Sequence, residues 1–355
     1  MNAFLAVALL LLMGAALFML PLAPALVELY RKSDATPLNV IQQHAGEIRH
    51  FAESFRSYLK NLEPVLRARA SSSAAATGTL PDGTDYLVVR RGDEVLKLPL
   101  QERDQVCPVL IAASTDLLLP SDTTFSKEIY AAGHFVGGSK DRYRAILGEK
   151  DVHLSSGSSV MRWAHAVGKI RADQGCKLYG RVSSDHGLYL QRDCSFQRLN
   201  APRVEVGPQR DDELASGVDS AAETDSGGSR WLLDGNFAID PAGTFRGNLV
   251  VRGSLHIGAG ARVFGDIKGN KKVILEDGVS VQGSLMSARE MRIGAKCAIR
   301  GPIISERFMQ VRSGTRCGSP EHPTTVSAPW IEVEEGVVVF GTLWARERGQ
   351  VVENL

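Results

Sequence analysis

From Asp240 onward, apolar and polar positions recur every eighteen residues. DPAGTFRGNLVVRGSLHI, GAGARVFGDIKGNKKVIL, EDGVSVQGSLMSAREMRI and GAKCAIRGPIISERFMQV align without gaps. Three apolar phases are Val263, Val281 and Ile299; Ile267, Leu285 and Ile303; and Val273, Met291 and Met309. A further one runs Ile257, Leu275, Ile293 and Val311, and glycine holds its own at Gly247, Gly265, Gly283 and Gly301. A fixed period of this length marks a repeat architecture. Residues two apart on a strand point the same way. Apolar pairs two apart, recurring about every six residues, therefore predict three short strands per turn. Eighteen residues make one triangular rung, which pairs with the next at about 4.8 Å. No rung can bury its inner face alone, so many must stack. The glycine phase predicts a corner that needs positive φ or has no room for a Cβ.

The same period runs more loosely upstream. Ser158, Cys176 and Cys194 share a phase; so do Val160, Leu178 and Phe196, and Val152, Ile170, Leu188 and Val206. Two more rungs are expected through 125–136 and 143–154. The fold class is therefore mainly β: a three-faced β-helix (β-solenoid) in two segments, 107–206 and 236–352. The pattern leaves open whether these stack as one rod or stand as two modules. The segment RSGTRCGSPEHPTTVSAPWIEV is longer than its neighbours, and Pro320, Pro323 and Pro329 predict a protruding loop.

The remaining chain carries other patterns. Met1 to Val27 has no charged side chain, long enough to span a bilayer, for which about 20 apolar residues suffice. Arg31 and Lys32 follow it, which predicts an anchored transmembrane helix with the rest of the chain on the cytoplasmic side. Ile41, Ala45, Ile48, Ala52, Phe55, Leu59 and Leu62 form an a/d stripe, predicting a helix that ends near Pro64. Such a helix either packs on its own domain or the membrane, or pairs as a short coiled coil. Ser71 to Thr79 reads as a linker, and Tyr86–Arg90 with Val95–Leu98 as a hairpin turning at Gly92. Arg91-Gly92-Asp93 is explained by that turn without a ligand. Residues 207–230 hold six acidic side chains against two arginines, predicting a solvated, disordered insertion. The expected organisation is anchor 1–30, helical stem 31–70, linker 71–85, hairpin and first solenoid 86–206, acidic insertion 207–235, and second solenoid 236–355.

Bulk composition adds little. Net charge is +1, with no global pull toward nucleic acid. Cys107, Cys176, Cys194, Cys297 and Cys317 form no CxxC and read as reduced, buried small hydrophobes. Chemistry is hard to find. His165 and His186 are off the stacking phase, and His256 beside Ile257 faces solvent, so no two histidines share a rung position for a metal. Ser156-Gly157-Ser158 is not a nucleophile elbow, and no Walker loop is present. No catalytic, cofactor or metal residues are expected. The residues expected to matter are the core ones named above and the four corner glycines.

Gly247 to Ile303, with its alternating hydrophobics and the GDI, GSL and GPI steps, resembles the bactofilins, polymer-forming bacterial cytoskeletal proteins. The likeness covers residues 236–345. It implies a right-handed β-helix, nucleotide-free end-to-end assembly into filaments, and scaffolding at the inner membrane. Bactofilins usually have short tails around one core, whereas this chain adds a membrane segment, a stem and a second solenoid. The expected function is a membrane-anchored, non-enzymatic scaffold of the bacterial cell envelope that polymerises through solenoid ends. The alternative is a monomeric or small-oligomer adaptor for envelope-building enzymes, and less favoured still is a hexapeptide-type transferase.

Overall fold

The computed structural model describes residues 10–14, 17, 45–64, 76–89, 98–101, 105–208 and 229–354. The chain divides into residues 1–40 and residues 41–355. In the first unit, residues 10–14 and 17 are helical, and Leu10, Leu11, Leu12, Met13 and Leu17 are exposed. No helix among the described residues is long and apolar enough to cross a membrane. The expected anchor lies largely outside the described residues, as do residues 71–75 of the linker, the Arg91–Asp93 tripeptide and residues 209–228 of the acidic insertion.

The second unit is a β-solenoid of about 13 turns, built as two coils. In the second coil, Leu249 pairs with Ile267, Ile267 with Leu285 and Leu285 with Ile303, all parallel and eighteen apart. Leu255, Val273, Met291 and Met309 stack along another face, and Val263, Val281 and Ile299 along the third. Buried positions alternate with more exposed ones on these short strands, and the outward row mixes polar residues such as Lys268 and Arg292 with apolar ones such as Ile274 and Met286. Each strand thus sends one row inward and one outward.

The first coil repeats the plan with slips. Ile129 pairs with Ile146, seventeen residues on, and Ile146 with Ala164, eighteen on. Register shifts near Phe125, Val160 and Leu178 absorb the odd residue, which is why its period reads loosely in sequence. One expected phase needs correcting: Leu188 pairs with Val204, and Val206 with Leu190.

The two coils join in one body. Strand Ser195–Val206 ends the first coil, and strand Val338–Val352 ends the second. They pair antiparallel, Leu199 opposite Leu343, Asn200 opposite Thr342 and Val204 opposite Val339. The Asn200 amide donates to Thr342 Oγ1 at 2.9 Å across this seam. One apolar core runs through both coils. The coils therefore meet C-terminal end to C-terminal end, and each advances along the axis against the other.

Other elements depart from expectation. The hairpin lies one strand earlier: Ala76–Thr79 pairs antiparallel with Asp85–Val89. Its turn is Leu80–Thr84, closed by Leu80 N–H donating to the Thr84 carbonyl at 2.8 Å. Part of the expected linker is thus a strand. The second coil begins at Arg230–Leu233, inside the stretch expected to be disordered. Residues 320–323 do protrude, but Pro329 lies within strand Thr324–Glu334, at a register irregularity between Ala328 and Trp330. Helix Ala45–Tyr58 packs on the first coil. Its stripe of Ile48, Ala52, Phe55, Leu59 and Leu62 is buried, with Phe55 against Trp163 at 5.6 Å. Of the two readings of the stripe, packing on its own domain is the one observed.

Candidate association surface

Every core residue expected from the sequence is buried: Val263, Ile267, Val273, Val281, Leu285, Met291, Ile299, Ile303 and Met309 all lie in the solenoid interior. They form three stacked rows and present nothing to solvent. The corner glycines divide by cause. Gly247 and Gly265 adopt φ of 122° and 143°, where only glycine is at ease. At Gly283 and Gly301 the cause is space, since an added Cβ would run into the backbone of the preceding corner.

Several polar side chains inside the coils are paired within the fold, although Ser114 Oγ and Thr324 Oγ1 are buried without a hydrogen-bond partner among the described residues. Asp141 accepts from Tyr143 Oη at 2.6 Å and from the Thr123 and Gly138 N–H groups, each at 2.9 Å. Burial raises the Asp141 carboxyl and, more strongly, the Tyr143 phenol above their ordinary ranges. His165 Nδ1 lies 2.9 Å from Ser183 Oγ. His256 is exposed as expected, 3.3 Å from Glu276. All five cysteines are buried, and burial pushes Cys297 up to about 11 and Cys317 up to about 12. Those two thiols stay protonated and unreactive at neutral pH. Among the described residues no group of His, Cys, Asp and Glu could hold a metal ion.

The ends of the coils are where the chain can do something. Two of the four are joined at the antiparallel seam. The start of the first coil is covered on two of its three faces; on the third, Leu117–Leu118 pairs only with the following rung among the described residues. Strand Ala76–Thr79 lies over Asp85–Val89, and Leu98, Leu100 and Val109 pack against the core. The covering strand is only four residues long, which blunts its own outer edge. Tyr58 of the helix braces this hairpin, donating to Asp82 at 2.7 Å.

The start of the second coil has no such cover. Strands Arg230–Leu233, Phe237–Ile239 and Thr244–Arg246 pair only with the following rung among the described residues. Alternation along each strand fixes which groups face outward. Asn248 N–H donates to the Ser229 carbonyl, Arg252 N–H to Leu233, Phe237 N–H to Ser254 and Arg262 N–H to Gly243. Neighbouring residues point their backbone the other way. The N–H and C=O of Leu232, Ala238 and Thr244 therefore face the open side.

The side chains of this rung match the open edge. Trp231, Leu233, Phe237 and Phe245 occupy the phases of Leu249, Val251, Leu255 and Val263 in the next rung. Those four partners are 0–1% exposed, whereas Trp231 is 49% exposed. Trp231 and Phe237 both meet Phe245 edge-on, at 6.2 and 6.4 Å. Leu232, facing outward, is 55% exposed. An aromatic plug over a core, ringed by backbone that has no ladder partner among the described residues, is a surface suited to being covered. The sequence reading missed these residues. Their signal was the apolar run Trp231-Leu232-Leu233, one period before Leu249-Val250-Val251.

Comparison with protein-family models, curated proteins and solved structures finds no match for this chain.

Proposed function

We propose that this protein is a membrane-anchored, non-enzymatic scaffold of the bacterial cell-envelope type that associates through a solenoid end. The carrying observation is the rung 229–246, uncovered on all three faces among the described residues, whose aromatic plug and outward-facing backbone contrast with the sealed seam and with a first coil covered on two faces of three. Most of the polar side chains described above are engaged within the fold, which favours a scaffold over a transferase. The uncharged stretch Met1–Val27 supports an inner-membrane anchor, with the solenoid on the cytoplasmic side by its flanking Arg31 and Lys32. The bactofilin-like period of the second coil supports the same class of role. The adaptor reading, in which the rod stays small and displays its faces to envelope-building enzymes, gains weight from the consumption of both C-terminal ends inside the chain. A filament needs two open ends per chain, and one end uncovered on all three faces is found among the described residues.

The test uses full-length protein expressed in a bacterium. Fractionation before and after deleting residues 1–30 reports the anchor, and cross-linking in intact cells reports self-association. Recovery of the full chain as soluble monomer in both assays would sink the proposal.

A further inference from the structure

We infer that the open rung 229–246 is completed by the same rung of a second chain, giving a two-fold, head-to-head dimer at which assembly stops. This rests on the self-association reading and specifies its partner and its limit.

The first argument is that the chain already contains such a joint. At the internal seam, rung ends meet antiparallel on all three faces: Ser195 and Phe196 against Gln350 and Gly349, Arg198–Ala201 against Trp344–Gly341, and Val204 and Glu205 against Val339 and Val338. The triangular cross-section is thus compatible with a near-two-fold crossing that keeps the core continuous. A second copy turned about a two-fold axis offers rung 229–246 the same geometry. Leu232, Ala238 and Thr244 then gain ladder partners.

The second argument is complementarity. The rung carries Arg230 and Arg246 against Asp234 and Asp240, two positive and two negative charges. Facing itself, it brings no net repulsion. The apolar centre of Trp231, Phe237 and Phe245 meets an equal apolar centre. The neighbouring acidic segment of the same chain is a poor substitute, because residues 209–228 hold only Leu214 and Val218 as large apolar side chains.

The limit follows from the ends. A contact in which the same surface serves both partners is isologous, and it closes once made. The remaining ends are the internal seam and the start of the first coil, where the hairpin and a bridge at Gln101 cover two faces and the third edge, Leu117–Leu118, is only two residues long.

The experiment measures the mass of the full-length chain in detergent by light scattering across a concentration series. Leu232→Pro with Ala238→Pro is the decisive variant. Both N–H groups face the open side, so proline removes ladder donors between chains while sparing those within the chain. A two-chain particle is expected, its dissociation constant weakened at least about tenfold in the variant with unchanged circular dichroism. Trp231→Glu is the second variant should the prolines disturb the fold, with the same expected weakening. A bis-maleimide should also capture Leu232→Cys as a dimer, since the five native thiols are buried.

A monomer at every concentration would overturn both this inference and the self-association reading. Particles that grow past two chains would leave self-association standing and overturn the head-to-head dimer. A dimer indifferent to the substitutions, or without the cross-link at position 232, would place the contact elsewhere and overturn the inference alone.

Discussion

The antiparallel seam makes a sharp prediction at Gly349. This residue lies opposite Phe196, and an added Cβ would fall inside the van der Waals envelope of the Phe196 ring. The ring is 1% exposed, so it has nowhere to retreat. Forcing a methyl group into a filled core costs about 1–3 kcal/mol. Replacing glycine by alanine also restricts the unfolded chain, which returns about 0.4–1 kcal/mol. Gly349→Ala should therefore lower stability by about 1.3 kcal/mol on the central values, and by about 2.6 kcal/mol at most. Urea unfolding of the full-length protein in detergent measures this through tryptophan fluorescence. Trp344 reports on the seam directly, since the Arg198 guanidinium lies 4.8 Å from its ring centre. The loss should depend on Phe196: adding Phe196→Leu should cost less in the Gly349→Ala background than alone, with a coupling of at least about 0.5 kcal/mol. Full stability in Gly349→Ala, or strict additivity with Phe196→Leu, would refute the packing assigned to the seam.

Four further outcomes are expected. Leu285→Ala, in the middle of the Ile267–Leu285–Ile303 row, should cost about 2–5 kcal/mol, read by hydrogen exchange as lost protection across the neighbouring rungs of the second coil. Phe55→Ala should loosen the helix from the first coil by about 3–5 kcal/mol and expose residues 45–64 to protease. Arg56→Ala should cost less than about 1 kcal/mol, because its paired bonds to Glu149 at 2.9 and 3.1 Å join side chains 41% and 28% exposed. Acidification should weaken the first coil through His165. Its pKa is held below the ordinary value chiefly by burial; Asp185 and Glu149 oppose the shift while Arg49 and Arg56 of the helix reinforce it. The fold thus prefers neutral imidazole and the unfolded chain binds the proton more readily. This stability is present above about pH 6.5 and lost as pH falls below it. Melting temperature against pH should fall less steeply in His165→Gln, and an identical slope would count against the assignment.

The second coil was legible because its strands do not slip between Leu249 and Val311. Eighteen-residue spacing from Leu249 to Ile303 keeps each side chain in one phase, and parallel stacking turns sequence period directly into contact. The first coil was readable only in outline, since each register shift moves later residues out of phase; that is how Val206 came to be stacked on the wrong leucine. The hairpin was misplaced by favouring Gly92 over Pro81-Asp82-Gly83, a turn signal with its own mechanism. In the structure the Asp82 carboxylate accepts from Thr84 N–H at 3.0 Å and holds that turn. The helix stripe could be seen, but an apolar stripe does not say what will cover it. The direction of one coil against the other was beyond reach for a similar reason. A period records how a chain stacks on itself and carries no term for how two coils meet.

That meeting sets the length of the rod. A parallel coil can be extended by any further rung in the same direction, so its open end is an invitation to growth. Two coils joined by their C-terminal rungs withdraw that invitation twice, because the partner at the seam belongs to the same chain and is always present at a matched ratio. About 13 turns at roughly 4.8 Å per turn give a rod of about 60 Å. The one rung uncovered on all three faces among the described residues lies at one tip, so completing it in the proposed dimer would double the rod to about 120 Å and add no new end of the same kind. In the proposed dimer the two chains would measure out a fixed distance. Small-angle scattering of the full-length protein would then give a longest dimension that stays constant with concentration once dimers have formed, whereas a polymer would keep lengthening.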